Sequence, residues 1–162
     1  NGETGVSCAP AGASTALLCT KTVQATTDTT GASGFSATSD GAPRTWSYTY
    51  DALGHVLTVD GPRTDVSDVT TFTYDAAGNL ASMTNALNQT TQFADYDDAG
   101  RLLRSVDPAG VETRLDYDTR GWLRHRQLGT AASGYETTTY DYDNAGSLSQ
   151  FTLPDGSYGQ YT

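Results

Sequence analysis

The amino-acid sequence predicts an all-β protein built from tandem β-hairpins, and three observations support this fold class. A heptapeptide recurs: YDAAGNL at 74–80 returns as YDDAGRL at 96–102, and related copies begin at residues 50, 117 and 142. The composition is rich in Thr, Ser, Gly and Asp and poor in helix formers such as Glu, Lys and Met. In the residues that precede the first copy, aromatic and polar side chains alternate, and this two-residue period is typical of a strand with one apolar face.

Each copy contains a turn signal of constant length. The copies' glycines recur at intervals of 24, 22, 21 and 25 residues, a period that is typical of repeat architectures. An Asp stands three residues before each glycine, which matches a type I turn followed by a bulge at positive φ. We expect these Asp side chains to accept backbone N–H groups within the turn. The structural repeat positions are Tyr50, Asp51 and Gly54; Tyr74, Asp75 and Gly78; Tyr96, Asp97 and Gly100; Tyr117, Asp118 and Gly121; and Tyr142, Asp143 and Gly146.

A second turn signal lies ten residues after three of the repeat glycines, at Asn88, Gly110 and Gly156. The surrounding letters NALN, DPAG and PDG contain the residues that type I turns prefer. Each repeat is therefore one hairpin of strand, turn, strand and turn. A lone hairpin is marginally stable in water, whereas hairpins that pair side by side bury a shared face.

The repeats divide the chain into two regions. Residues 46–162 hold five hairpin repeats, and residues 1–45 are expected to form an irregular segment or a degenerate repeat, since they show little periodicity. We expect an unpaired sheet edge near Trp46 and another near Tyr161, which would allow edge-to-edge self-association. The chain does not begin with Met and its first residues do not resemble a signal peptide, so it is expected to be a piece of a longer protein.

Charge and hydropathy exclude two function classes. The net charge is −10, and binding to nucleic acid without sequence preference needs clustered Lys and Arg. No apolar run is long enough for a membrane-spanning helix. We therefore expect neither a nucleic-acid partner nor a membrane span.

Catalysis and metal binding are also disfavoured. The five repeat aspartates occupy one equivalent turn position, whereas a glycosidase needs two carboxylates across a cleft. No Gly-x-Ser-x-Gly stretch is present, and neither His55 nor His125 lies near a nucleophile motif. Carboxylates that flank Tyr96 and Tyr142 could bind calcium weakly, but solvated Asp is the stronger interpretation. We predict no enzymatic activity, no cofactor and no resident metal.

The two cysteines, Cys8 and Cys19, lie in the N-terminal region. A disulfide between them would close a loop worth about 3 kcal/mol in the chain-entropy model and would persist in an oxidising compartment. Two unpaired thiols remain an alternative. A zinc site is disfavoured because there is no further Cys and both histidines are distant in sequence.

Trp122 is a candidate for stacking on a sugar ring. It follows the turn glycine, a position that is variable between copies and therefore expected to be exposed. Exposed aromatic rings on a β-surface can bind carbohydrate. A carbohydrate-binding surface adhesion module is thus the alternative function.

The words YDAAGNL, YDDAGRL and YDNAGSL, each followed by a second turn, resemble the YD repeats of bacterial Rhs proteins, teneurins and the large subunits of insecticidal toxin complexes. The resemblance covers residues 46–162. It implies a spiralling, hollow β-shell that encloses a C-terminal toxin or other cargo, in a protein that is secreted, placed on the cell surface or delivered by a bacterial secretion system. The implied partners are the remainder of the parent shell and its cargo.

The sequence departs from that family in one respect. It contains no counterpart of the closing motif, where an aspartate-dependent self-cleavage releases the toxin. DPAG at 107–110 shares letters with that motif but is followed by another repeat. The resemblance therefore implies no catalytic aspartate here.

Overall fold

The computed structural model describes residues 8, 10 and 17–161, and these form an all-β structure. The short turns that join the strands favour antiparallel pairing of neighbours. One 3₁₀ helix, Gly34–Ser36, lies between the first two strands. The strands are β1 Thr20–Thr26, β2 Ser39–Tyr50, β3 Val56–Asp60, β4 Thr70–Tyr74, β5 Leu80–Thr84, β6 Thr90–Tyr96, β7 Leu102–Val106, β8 Glu112–Tyr117, β9 Leu123–Thr130, β10 Gly134–Tyr142, β11 Leu148–Thr152 and β12 Tyr158–Gln160.

The strand order in the sheet follows the order along the chain from β1 to β12. The predicted all-β fold is therefore confirmed. The described residues group into two compact units. One comprises the residues up to Thr73 together with Thr84–Asn88, and the other comprises Tyr74–Met83 with the residues from Gln89 onward.

In the first unit, β1 covers the outer side of β2. The two strands pair antiparallel from Thr20 opposite Ser47 to Thr26 opposite Ser39, and Lys21 lies opposite Trp46. The expectation of an unpaired edge near Trp46 was therefore wrong. Within segment 1–45, expected to be irregular or a degenerate repeat, Thr20–Thr26 forms a regular strand. Backbone hydrogen bonds to β2 can hold a polar segment that has no apolar period.

In the second unit, the strand register sorts side chains onto two faces. One row across the sheet runs through Phe93, Ser105, Thr113, Leu128 and Glu136. The adjacent row, on the opposite face, runs through Ala94, Arg104, Arg114, Gln127 and Thr137. Directly opposite residues share a face and contact each other, so the second row forms a polar surface.

Both units are thinly packed. None of the described residues is fully buried, and several apolar side chains are open to solvent, among them Leu53 and Leu87. In a single layer of sheet each side chain contacts only neighbours on its own face, so stability must come from contacts between adjacent strands. The described part of the chain contains no helix that is long and apolar enough to cross a membrane.

Candidate functional site: the seam of repeat turns

The repeat turn is built around the Asp carboxylate. In the third copy, Oδ1 of Asp97 accepts the backbone N–H groups of Ala99 and Arg101, each at 2.9 Å. The backbone N–H of Gly100 donates to the carbonyl of Asp97 at 2.9 Å, and that of Asp97 donates to the carbonyl of Arg101 at 3.0 Å. The same Oδ1 contacts recur at Asp51, Asp75, Asp118 and Asp143.

These hydrogen bonds favour the charged form of Asp97 and Asp118. The backbone N–H of Arg101 lowers the pKa of Asp97, and the backbone N–H of Trp122 lowers the pKa of Asp118. The five repeat glycines all have positive φ, between 74° and 92°. Each turn is thus a local unit that the Asp and Gly positions define.

In three of the five copies, the side chain of the residue after the glycine also contacts the carboxylate of its own turn. Nδ2 of Asn79 donates to Oδ2 of Asp75 at 3.0 Å, and Nε of Arg101 donates to Oδ2 of Asp97 at 2.6 Å. In the first unit, Nδ1 of His55 lies 2.8 Å from Oδ2 of Asp51. In these three copies, the position that the sequence suggested was exposed and variable therefore contacts the turn.

The same side chain also reaches the next repeat. The guanidinium of Arg101 lies 4.8 Å from the ring centroid of Tyr117, and a Cβ added at Gly121 would be 2.5 Å from its Nη1. Oδ1 of Asn79 lies 3.8 Å from the equivalent point at Gly100. We call these contacts the turn seam: in each, the side chain after one turn glycine lies against the turn glycine of the following repeat. Its members are Asn79, Arg101 and Trp122, which lie against Gly100, Gly121 and Gly146.

Trp122 is the largest member of the turn seam. Its ring centroid lies 5.2 Å from that of Tyr142, and a Cβ added at Gly146 would be 2.6 Å from its Cζ2. The guanidinium of Arg120 lies 4.4 Å from the ring. The expectation that Trp122 is exposed was wrong, because this position points toward the next repeat and the side chain is half-buried. Sugar stacking at Trp122 stays a prediction, and these contacts do not support it.

The repeat tyrosines contribute hydroxyl groups as well as rings. Oη of Tyr96 donates to the carbonyl of Leu80 at 2.6 Å, and Oη of Tyr142 donates to the carbonyl of Leu123 at 3.0 Å. Each acceptor is the first residue of the preceding strand. Burial raises the pKa of both tyrosines. The strand alternation predicted only an apolar face for these tyrosines; the recurrence of Tyr rather than Phe in all five copies was the sequence signal for a hydroxyl contact.

A charged cluster lies on the polar surface of the second unit. The carboxylate of Glu112 accepts hydrogen bonds from Nη2 of Arg104 at 3.2 Å, Nη2 of Arg114 at 2.8 Å and Oη of Tyr135 at 2.7 Å. The Tyr135 hydroxyl above all, and then Arg114 and Arg104, lower the pKa of Glu112 to about 2. In register, Gly129 separates Glu112 from Tyr135, and the absence of a side chain there lets the tyrosine reach across β9.

Two further candidates have definite positions. Cys8 and Cys19 form a disulfide, with their Cα atoms 5.3 Å apart, rather than two free thiols. Two of the four acidic residues considered for calcium pair with arginines on neighbouring strands: Asp95 lies 3.5 Å from Arg104 and Asp141 lies 3.5 Å from Arg124. Within residues 8, 10 and 17–161 no three His, Cys, Asp or Glu side chains are grouped to hold a metal ion.

Comparisons with known proteins agree with this architecture. The family model of the teneurin YD-shell matches residues 35–160. The double-stranded DNA deaminase toxin A of Burkholderia cenocepacia (strain H111) is 34% identical over 114 residues, which is 65% of this chain and 8% of the relative.

Solved structures with a similar fold come from Tc toxins. A crystal structure of TcdB2-TccC3-Cdc42 has a TM-score of 0.69 at 18% identity, over 84% of this chain and 7% of that chain. The Photorhabdus luminescens Tc holotoxin pore, with the TccC3-D651A mutation, has a TM-score of 0.67 at 19% identity, over 84% and 7%. This likeness concerns the fold, and the chain spans less than a tenth of these proteins' lengths.

Proposed function

We propose that this chain, which belongs to the teneurin YD-shell family, is a stretch of wall in a hollow β-shell that encloses the C-terminal toxin or other cargo of a bacterial polymorphic toxin. The turn seam is the observation that carries the proposal. Three successive repeats each place a side chain on the turn of the next repeat, as Trp122 does at Gly146. Such a contact can be extended by adding repeats without changing its chemistry, which is what a wall requires.

If this chain is part of the shell wall, the toxic activity of the parent protein belongs to other segments. Oδ1 of every repeat aspartate accepts two backbone N–H groups, so these carboxylates serve the turns. We therefore assign no catalysis to this chain. DNA deamination appears in the name of the Burkholderia relative, of which the chain matches 8%, and we place the toxic activity of the present parent outside the repeats.

The partners that follow are the rest of the parent shell and the enclosed cargo. We further propose that the parent acts outside the producing cell, as a secreted, surface-placed or delivered protein. The disulfide between Cys8 and Cys19 supports this proposal, because disulfides persist in oxidising compartments.

The test is protection of the cargo from protease in the parent protein. We expect the cargo to resist digestion in the intact parent and to be cleaved rapidly when it is expressed alone. Gly146→Val breaks the turn seam, since the added side chain collides with Trp122, and should make the cargo accessible. Gly156→Val, at a turn where an added Cβ meets no atom within 4 Å in the described part of the chain, is the matched control. Digestion of the cargo within the unaltered parent would contradict the proposal.

A further inference from the structure

Two cysteine carbonyls accept hydrogen bonds from the outer edge of β2, near its end. The pairing of β1 with β2 begins at Thr20 and Ser47, and the end of β2 extends past it toward the first repeat turn. The backbone N–H of Tyr48 donates to the carbonyl of Cys19 at 2.9 Å, and the N–H of Tyr50 donates to the carbonyl of Cys8 at 2.8 Å. The hydroxyl of Tyr50 also donates to the carbonyl of Leu18 at 2.9 Å.

The two carbonyls are held in place by different means. Cys19 directly precedes β1, so the strand pairing itself positions its carbonyl next to Tyr48. Cys8 is separated from Cys19 by 11 positions, and the disulfide links it covalently to the start of β1. A single hydrogen bond contributes little net stability and does not by itself offset the entropy of ordering such a segment. The contact between Cys8 and Tyr50 therefore depends on the disulfide.

We propose that the Cys8–Cys19 disulfide is a redox-sensitive clamp that closes the edge of the first repeat hairpin at Tyr50. Both cysteines are half-buried, which leaves the bond open to a small reductant. A dithiol transfers two electrons and two protons: the Sγ–Sγ bond breaks, two cysteine thiols form, and the reductant becomes a disulfide. Reduction then releases Cys8 from Tyr50.

Opening the clamp changes what the edge can bind. The freed N–H of Tyr50 becomes an unpaired donor at the strand that leads into the first repeat turn. Unpaired backbone N–H groups at a sheet edge are groups to which another strand can bind. The edge is thus closed in an oxidising space and open in a reducing one, while β1 keeps its own pairing with β2.

Amide hydrogen exchange on the complete chain, read by NMR, tests this proposal. After treatment with dithiothreitol, the protection of the Tyr50 amide should fall about fivefold, the effect of opening one hydrogen bond of typical strength. Reoxidation should restore it. The Tyr48 amide should change less, because Cys19 stays next to β1. The internal control is the Tyr161 amide in the second unit, which donates to the carbonyl of Ser149 and should not change.

A Cys8→Ser and Cys19→Ser double variant, measured without reductant, should reproduce the reduced exchange pattern. Unchanged protection at Tyr50 in both the reduced protein and this variant would overturn the proposal. Equal losses at Tyr50 and Tyr161 would also overturn it, since the disulfide would then support the whole sheet rather than one edge.

Discussion

The two turns that flank β11 have the same hydrogen-bond pattern and different surroundings. At the YD end, the N–H of Gly146 donates to the carbonyl of Asp143, and Gly146 has a φ of 90°. At the other end, the N–H of Gly156 donates to the carbonyl of Leu153, and Gly156 has a φ of 84°. A Cβ at Gly146 would meet Trp122, whereas at Gly156 it would meet no atom within 4 Å in the described part of the chain.

One local backbone conformation is thus required for two different reasons. At Gly156 the glycine relieves backbone strain only. At Gly146 it relieves the same strain and also leaves room for the side chain of the preceding repeat. The YD end therefore joins repeats to one another, and the second end is a plain reversal of the chain.

The largest expected effect comes from adding one methyl group at each end. Gly146→Ala should lower the free energy of unfolding by about 3 kcal/mol, because backbone strain adds to the displacement of Trp122. Gly156→Ala should lower it by about 1 kcal/mol, from strain alone. Urea unfolding at constant m-value measures both. Equal losses of unfolding free energy in the two variants would contradict the additional contact of Trp122 at Gly146.

Truncating Trp122 tests the turn seam by removing the contacting side chain instead of adding one at the glycine. Trp122→Ala should lower the free energy of unfolding by about 2 kcal/mol, less than a fully buried tryptophan because the ring is half-buried. Phe35→Ala is the control, since that ring is fully exposed, and its effect should stay within about 0.5 kcal/mol. Thermal unfolding separates the two variants. Loss of a glycan-binding activity in Trp122→Ala without loss of stability would instead favour the adhesin alternative.

The tyrosine hydroxyls provide a smaller test of the contacts between repeats. Tyr96→Phe removes the hydrogen bond to the carbonyl of Leu80 and should cost about 1 kcal/mol. Tyr158→Phe alters an exposed hydroxyl and should change stability by less than about 0.5 kcal/mol. Both free energies come from urea unfolding. A Tyr96→Phe variant as stable as Tyr158→Phe would show that the ring alone joins these strands.

The smallest expected effect is a pH dependence of stability that arises at Glu112, outside the repeat turns. The pKa of Glu112 is about 2, against 4.5 for the ordinary side chain. A depressed carboxyl pKa contributes stability above the unfolded value, and that contribution is lost as the pH falls from about 5 toward 2. Tyr135→Phe removes the strongest hydrogen bond to Glu112 and should flatten the fall in stability over this window, measured by urea unfolding at several pH values. Identical pH profiles would exclude the cluster as a source of acid sensitivity.

The hairpins were predictable because their rules are local. A type I turn is specified within a few residues, so Asp97 and Gly100 identify it without knowledge of the rest of the chain. The period of the repeats and the strand alternation then predict neighbouring antiparallel hairpins. The strand at Thr20–Thr26 was missed for the opposite reason: its residues carry no apolar alternation, and its position depends on backbone bonds to β2.

The all-β class, the repeat unit and the turn positions follow from the amino-acid sequence, because each depends on preferences between residues close together in the chain. The roles of Trp122, the tyrosine hydroxyls and Cys8 depend on the folded structure. Trp122 lies on the turn of the following repeat, 24 residues away at Gly146, and Cys8 reaches Tyr50 through a disulfide. Contacts of this kind depend on which surfaces the folded strands bring together, and the residue type alone does not specify them.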